Sequence, residues 1–184
     1  ADKLQIYTTR PDTLFGVTFM VIAPEHPMID RYADRITNMD AIEAYRSECS
    51  KKTEFQRTQL VKDKTGVKIE GLQAVNPLNG KQIPIFIADY VMMGYGTGAI
   101  MAVPAHDQRD YDFAKAFGAD IIEVIKGGDI AVEAYKGDGE MVKSGFLNGY
   151  TNKKEAIARV IEELEKMGIG KGGIQYKMKD WAFN

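Results

Sequence analysis

The sequence predicts a mixed α/β fold, with a β-barrel core of short strands and helices that pack on the outside of the barrel. Three observations support this prediction. Apolar or alternating segments of strand length recur along the 184 residues and are separated by glycine and proline. A few segments instead have the apolar spacing of helices. Hydrophobic residues make up 45% of the chain, which is enough for the packed interior of one domain over residues 1–184.

The first third of the chain predicts two strands and a helix. Lys3–Thr8 alternates between polar and apolar residues as a strand does. Val17–Ala23 is apolar and rich in β-branched residues, which is typical of a buried strand. Asp40–Lys51 has helical spacing, with Asp40 as the expected N-cap. The polar segment Lys51–Lys64 is predicted to be a solvated loop or a frayed helix.

A strand and a hairpin are predicted next. Val67–Gln73 has strand character, and the dipeptide Asn79-Gly80 is a strong hairpin turn signal. The turn would join Ala74–Leu78 to Gln82–Ala88. Pro84 lies within the second of these strands and lacks a backbone N–H, so it predicts an edge position or a bulge.

The stretch from Gly94 to Tyr111 has the highest concentration of candidate functional residues in the chain. Its three glycines, at positions 94, 96 and 98, allow the backbone to approach a ligand closely. Ala99–Val103 is an apolar run of strand length, and Pro104 ends it. A helix is predicted over Asp107–Phe117 and ends at a glycine. Polar and charged side chains crowd the start of this helix: His106, Asp107, Arg109 and Asp110.

The last third predicts a short strand over Ile121–Ile125, loops and short strands after it, and a helix. Asn152 and Glu155 match a capping box that opens this helix, which is expected to run to Met167. A final strand is predicted over Ile174–Met178.

Composition excludes several classes of protein. The net charge is −2, from 24 basic and 26 acidic side chains, so the chain lacks the strongly basic surface of a protein that binds nucleic acid unaided. One cysteine and two histidines predict no disulfide, metal or cofactor. No apolar run has membrane-spanning length and no secretory signal is recognisable, so we expect a cytoplasmic protein.

Two motifs together resemble a known family. TTRPDT, at residues 8–13, and GTGAIMAVPAHDQRD, at residues 96–110, are similar to the threonine-rich and aspartate-bearing motifs of the editing domain of leucyl-tRNA synthetases. This domain is the connective peptide of these class I enzymes, and the resemblance is to the bacterial type. It extends over nearly the whole chain and includes SKKTEFQRT at residues 50–58 and KMKDWAF at residues 177–183.

The resemblance implies a role for each candidate residue. Asp110 would bind the α-ammonium of the amino acid, while Thr8 and Thr9 would contact the ester, the attacking water or the terminal ribose. These three are the predicted catalytic residues. Thr13 resembles the residue whose bulk excludes the leucyl side chain. The predicted substrate-binding residues are Arg10, Thr13, Tyr95, Met101, Val103, Asp107 and Arg109.

Simpler interpretations of the same residues remain open at the level of sequence. Arg10 would meet the 3′ end of a tRNA or would order its own turn through Asp12. Met101 and Val103 would line a pocket, pack in the core, or do both. His106 is a candidate general base, but an imidazole at a helix start also forms local hydrogen bonds.

The function implied by the resemblance is post-transfer editing, in which the ester of misacylated tRNA(Leu) is hydrolysed while leucyl-tRNA(Leu) is spared. The implied partners are the 3′ terminal adenosine with its amino acid and the remainder of a larger synthetase, with no membrane and with a monomeric state. A class I signature for ATP is absent from the sequence, so aminoacylation by this chain is not expected. The alternatives are a valyl-type editing domain and a non-catalytic module that binds the acceptor end.

Overall fold

A computed structural model describes residues 3–58, 64–94, 96–171 and 176–183. Its seven strands are β1 Lys3–Thr8, β2 Phe19–Ile22, β3 Val67–Val75, β4 Gln82–Ile87, β5 Ala99–Ala102, β6 Gly170–Lys171 and β7 Tyr176–Phe183. The α-helices are α1 Met28–Arg31, α2 Met39–Ser50, α3 Glu54–Thr58, α4 Gln108–Phe117 and α5 Lys153–Lys166. Two 3₁₀ helices cover Pro11–Gly16 and Gly145–Leu147. The predicted mixed α/β class is confirmed.

All seven strands belong to one mixed sheet with the order β1-β7-β3-β4-β2-β5, and β6 pairs with β7. The pairing of β2 with β4 is parallel, whereas the other ladders between described strands are antiparallel. The predicted barrel is not closed. β1 and β5 come close together at the two ends of this order, but no ladder joins them in the described parts of the chain. The opening between these two strands is the position of the cavity described below.

The packing of α4 against the sheet depends on an aromatic cluster. Phe113 of α4 stacks on Phe19 of β2 with ring centroids 5.5 Å apart, and it meets Phe86 of β4 edge-on at 5.3 Å. Phe19 and Phe113 are fully buried. These contacts hold the first turn of α4 beside the end of β5, so they fix the position of the carboxylates that this turn carries.

Most of the predicted helices and strands are present, with differences at their ends. Helix α2 begins after Asn38, and Asp40 lies in its first turn instead of capping it. Asn38 is occupied elsewhere, because its amide binds the carbonyl of Lys68 and the N–H of Glu70 on β3. The segment over 51–64 was predicted to be a solvated loop or a frayed helix, and it contains the short helix α3. Residues 59–63 of that segment lie outside the described residues.

The hairpin turn at Asn79-Gly80 is confirmed, with Gly80 at a φ of +71°. The edge position predicted from Pro84 is wrong, because β4 lies between β3 and β2. The alternative of a bulge is confirmed, since the register of β3 against β4 shifts between Lys68 and Gln73. Pro84 faces Gln73, and the ladder of β4 with β2 starts only at Ile85, so the missing N–H interrupts no bond to β2.

The strand predicted over Ile121–Ile125 is wrong. Its only β contact in the described structure is a single bridge from Ile125 to Met141. The N–H groups of Val124 and Ile125 instead donate to Nε2 of His106, at 3.0 and 3.2 Å. A histidine side chain thus satisfies the donors that a neighbouring strand would otherwise have taken.

The C-terminal predictions have a mixed outcome. Asn152 caps α5 by accepting a hydrogen bond from the N–H of Glu155, at 3.1 Å, as the capping box predicts. The last strand is β7, which begins at Tyr176, whereas residues 174 and 175, at the start of the predicted strand, lie outside the described residues. In the part of the chain that the structure covers, no helix combines the length and the apolar character needed to cross a membrane.

Candidate active site

A cavity of about 380 Å³ opens between the end of β1 and the segment from Gly96 to Asp110, and we call it the main cavity. It is lined by Tyr7, Thr8, Thr9, Gly96, Thr97, Ala99, Ile100, Met101, Asp107, Arg109 and Asp110. The two motifs that the sequence separates by more than eighty residues therefore face one another across this space. Gly96 and Gly98 have φ values of +64° and +73°, so the loop at the cavity mouth adopts a conformation that requires glycine.

Asp110 is the buried carboxylate of the main cavity, with 6% of its surface exposed. Its Oδ2 accepts a hydrogen bond of 3.0 Å from the N–H of Val103, just after β5. Its own N–H donates to Oδ1 of Asp107, also at 3.0 Å, so Asp107 is the N-cap of α4. Oδ1 of Asp110 receives no hydrogen bond from any described residue and remains available to a ligand.

The surroundings of Asp110 favour its neutral form when no cation is bound. Burial, and then the charge of Asp107, raise the pKa of Asp110 from 3.8 to about 7, against the opposing effect of the hydrogen bond from Val103. A cation that enters the cavity would pair with the carboxylate of Asp110 and so stabilise its ionised form. The site is therefore suited to bind a positively charged group at neutral pH.

This shift predicts that Asp110 destabilises the fold at neutral pH. Because its pKa is higher in the folded than in the unfolded chain, the free energy of unfolding falls as pH rises from about 4 to about 7. Asp110→Asn keeps an acceptor for Val103 and removes the charge. We expect the variant to be more stable than the parent at pH 8 by on the order of a few kcal/mol. Urea unfolding at pH 8 and pH 4 measures this difference, which should vanish at pH 4. An equal difference at both pH values would contradict the assignment.

The threonines at the end of β1 lie at the main cavity. Oγ1 of Thr8 accepts a hydrogen bond of 3.0 Å from the N–H of Arg10, so its own proton remains free to donate. Thr9 is exposed and also lines the cavity. The structure thus brings two hydroxyls and the carboxylate of Asp110 around one space.

Arg10 does not line the main cavity, and its guanidinium is held within its own turn. Nε and one terminal nitrogen donate to the two oxygens of Asp12, at 3.0 and 2.9 Å. Asp12 is buried and 1% exposed. The turn-ordering role that the sequence left open for Arg10 is therefore present in the structure.

The other predicted substrate-binding residues divide into three groups. Met101, Asp107 and Arg109 line the main cavity. Thr13 and Val103 do not line it: Thr13 is buried and donates through Oγ1 to the carbonyl of Arg10 at 2.9 Å, and Val103 packs against the core. Tyr95 lies outside the described residues.

His106 has a structural position beside the cavity. Nε2 accepts the two N–H groups of Val124 and Ile125, so Nδ1 carries the proton that it donates to the carbonyl of Tyr135 at 2.8 Å. Burial lowers the pKa of His106, which agrees with a neutral ring. Both ring nitrogens are therefore occupied by backbone groups, and His106 is not positioned as a general base.

We expect His106→Ala to lower the free energy of unfolding by about 2–4 kcal/mol, because it leaves two buried N–H groups and a carbonyl unpaired. Denaturant unfolding of the variant and the parent measures this difference. A variant with parental stability would contradict the structural role of the imidazole.

Sequence reasoning missed two residues of the cavity wall, Tyr7 and Ile100, whereas Gly96 to Ala99 had been expected to present backbone groups to the adenosine. Tyr7 immediately precedes the threonine motif, so adjacency was the available signal. Ile100 belongs to the apolar run of β5, where a core residue and a wall residue look alike in sequence.

Comparisons with known proteins agree with this geometry. Residues 1–165 match the family model described as "Leucyl-tRNA synthetase, editing domain". The chain is 58% identical over 184 residues to a leucine--tRNA ligase of Alkaliphilus oremlandii (strain OhILAs). This match covers 99% of this chain and 23% of that protein. A solved structure, the ternary complex of Agrobacterium radiobacter K84 agnB2 LeuRS with tRNA and LeuAMS, is similar with a TM-score of 0.66 and 25% identity, over 97% of this chain and 20% of that one. The chain thus spans about a quarter of the ligase that it resembles. We conclude from the matched motifs, the sheet and the family model that this chain belongs to the leucyl-tRNA synthetase editing domain family.

Proposed function

We propose that this chain hydrolyses the ester of misacylated tRNA(Leu), with isoleucyl and norvalyl esters as substrates and leucyl-tRNA(Leu) spared. The observation that carries the proposal is the main cavity, in which two threonine hydroxyls face one buried carboxylate. A synthetase pocket separates amino acids that differ by one methylene by only about 1–3 kcal/mol, so a second hydrolytic site serves accuracy. In this proposal the chain acts as one domain of a larger cytoplasmic synthetase.

The residues of the main cavity supply positioning and not a covalent nucleophile. Asp110 holds the α-ammonium through Oδ1, while the hydrogen bond from Val103 fixes the carboxylate. Thr8, whose proton is free, and Thr9 donate to the water or to the oxyanion that develops on the ester carbonyl. Water adds to this carbon, the bond to the ribose oxygen breaks, and that oxygen takes a proton. The products are a free amino acid and an uncharged tRNA.

Arg109 and the glycine loop are proposed to face the terminal adenosine. Arg109 is exposed at the cavity mouth, where its charge attracts the tRNA backbone. Gly96 lines the same mouth and leaves room for a sugar or a base to approach the backbone. With a net charge of −2, the chain relies on the remainder of the synthetase for most of its contacts with tRNA phosphates.

Deacylation of four charged tRNAs tests the proposal. Isoleucyl- and norvalyl-tRNA(Leu) should be hydrolysed, whereas leucyl-tRNA(Leu) and threonyl-tRNA(Val) should persist. Hydrolysis of only the threonyl ester would instead indicate valyl-type editing. Binding of the acceptor end without any hydrolysis would indicate a non-catalytic module. Since the chain spans 23% of its relative, the assay is run both on this chain and on a synthetase that contains it.

A further inference from the structure

The motif SKKTEFQRT, at residues 50–58, contributes no residue to the lining of the main cavity. It covers the end of α2 and the short helix α3. Its side chains are exposed or half-buried with one exception, Arg57, of which only 7% is exposed. A guanidinium is rarely buried unless its N–H groups have partners, so the partners of Arg57 indicate what the motif does.

The guanidinium of Arg57 joins three separate segments of the chain. Its Nε donates to the carbonyl of Asp89 at 2.8 Å, and Nη2 donates to the carbonyl of Val91 at 3.1 Å. Nη1 and Nη2 also bind the two carboxylate oxygens of Glu25, the second at 3.2 Å. One side chain therefore fixes α3, the segment 89–91 and the turn that contains Glu25 to one another.

The rest of the motif holds the short helix that carries Arg57. The N–H of Thr53 donates to Oε1 of Gln56 at 2.9 Å, and the N–H of Gln56 donates to Oγ1 of Thr53 at 3.1 Å. These reciprocal bonds form a capping box at the start of α3. Lys52 binds the carboxylate of Asp89 at 2.8 Å. Arg57 therefore projects from a helix that is itself tied to the segment it binds.

Both ends of the glycine loop are attached to this arginine. The loop runs from Val91 to β5 and carries the glycines at positions 94, 96 and 98. At its start, Arg57 binds the carbonyl of Val91 directly. At its end, the carbonyl of Gly98 accepts a hydrogen bond of 2.8 Å from the N–H of Ala23, two residues before Glu25. Arg57 thus reaches the start of the loop by one bond and its end through the turn of Glu25.

The turn at residues 23–27 also packs against the glycine loop. The ring of His26 is buried, and its Nδ1 accepts a hydrogen bond of 3.1 Å from the N–H of Met28. A methyl group on Gly98 would come within 3.4 Å of Cδ2 of His26 and would overlap Sδ of Met93. Because the two segments are in contact, the position of the turn sets the position of the loop.

We propose that Arg57 is a positioning residue for ester hydrolysis, because it fixes the glycine loop as one wall of the main cavity. The inference rests on the proposed function, in which this loop faces the terminal adenosine. Gly96 and Thr97 of the loop line the cavity, whereas Asp110 and the two threonine hydroxyls belong to α4 and to the end of β1. A loosened loop should therefore weaken substrate binding and leave the reacting groups in place, so KM should rise while kcat is nearly unchanged.

Glu25→Gln tests the attachment at the end of the loop. Its side chain is 48% exposed, so the variant should fold, and it removes the charge that binds Arg57. We expect KM for isoleucyl-tRNA(Leu) to rise about threefold to tenfold, with kcat changed by less than about twofold. The matched control is Asp30→Asn, because Arg46 binds the two oxygens of Asp30 at 2.8 and 3.3 Å in the same arrangement, away from the cavity lining. The control should keep the parental kcat and KM.

Hydrogen exchange of the Ala23 amide reports on the loop independently of catalysis, because this N–H is bonded to the carbonyl of Gly98. Glu25→Gln should speed this exchange about tenfold relative to the parent, and Asp30→Asn should not. Arg57→Lys, which keeps the charge but cannot reach all three partners, should act in the same direction as Glu25→Gln.

The outcomes separate the inference from the proposed function. If the parent hydrolyses isoleucyl-tRNA(Leu) and Glu25→Gln keeps the parental KM, Arg57 has no positioning role and the proposed function stands. Equal changes in Glu25→Gln and Asp30→Asn, or a loss confined to kcat, would also overturn the inference. A parent chain that leaves the ester intact would overturn the proposed function, and the role of Arg57 in it.

Discussion

Replacing Asp110 with asparagine is expected to slow the hydrolysis of isoleucyl-tRNA(Leu) about 100-fold or more while leaving the fold intact. Asparagine can still accept the hydrogen bond from Val103, so the connection between β5 and α4 survives. What disappears is the negative charge that we propose holds the α-ammonium in the buried cavity. Single-turnover deacylation measures the rate, and circular dichroism confirms that the variant is folded.

Asp112→Asn is the matched control for this experiment. Asp112 lies two residues further along α4, is exposed, and accepts a hydrogen bond from Gln108 at 2.9 Å without lining the cavity. The control should retain the parental rate. The parental rate should also fall as pH drops below about 7, where Asp110 takes up a proton. If the Asp110→Asn variant hydrolysed isoleucyl-tRNA(Leu) at the parental rate, the assignment of Asp110 to the site would be wrong.

Thr13→Ala is expected to gain a damaging activity, the hydrolysis of correctly charged leucyl-tRNA(Leu), by about tenfold or more. Leucine is as apolar as isoleucine and of equal size, so a site that spares leucyl-tRNA(Leu), as proposed, must exclude leucine by shape. Thr13 has a rigid β-branched side chain, and its hydroxyl is fixed to the carbonyl of Arg10. It is buried and does not line the main cavity in this structure, so it would act as a limit on the pocket only indirectly, through the residues between it and the cavity. Deacylation of leucyl- and isoleucyl-tRNA(Leu) by the variant and the parent measures the gain.

Thr13→Val separates bulk from hydrogen bonding. Valine keeps the branched shape and removes the hydroxyl, so the variant should still spare leucyl-tRNA(Leu) if bulk is decisive. A gain of leucyl hydrolysis by Thr13→Val would assign the exclusion to the hydrogen bond with Arg10. If Thr13→Ala leaves leucyl-tRNA(Leu) intact while isoleucyl-tRNA(Leu) is hydrolysed, Thr13 is not the limit. Met101, which lines the cavity, would then be the next candidate.

The parts of the fold that sequence predicted are those whose signal is local. The capping box of α5, the glycine after α4 and the Asn79-Gly80 turn each encode their geometry within a few residues. The failed strand over Ile121–Ile125 depends instead on a distant partner, because His106 takes the N–H groups that a ladder would use. The prediction of a closed barrel failed for a related reason. Closure depends on whether the two end strands pair, and no single segment of the sequence encodes that pairing.

The predictions for the candidate site divide in the same way, between local signals and distant contacts. Thr8, Thr9 and Asp110 were predicted from compact motifs, and the structure places all three at the main cavity. Other features depend on packing and hydrogen bonds in three dimensions: the absence of Thr13 from the cavity lining, the bonds of Arg10 to Asp12 and the occupied ring nitrogens of His106. A residue type shows what a side chain can do, whereas its neighbours decide which of those roles remains available.

The buried carboxylate has a consequence for how this domain would change over generations. The raised pKa of Asp110 implies that its charge lowers the stability of the fold at neutral pH, and one nucleotide change in its codon can produce asparagine, which fits the same hydrogen bond. In a lineage that no longer needed to remove wrong amino acids, selection for stability would favour this replacement. Under the proposed function, selection for accuracy is what retains Asp110. Loss of proofreading should leave an asparagine at this position before it leaves any trace in the sheet.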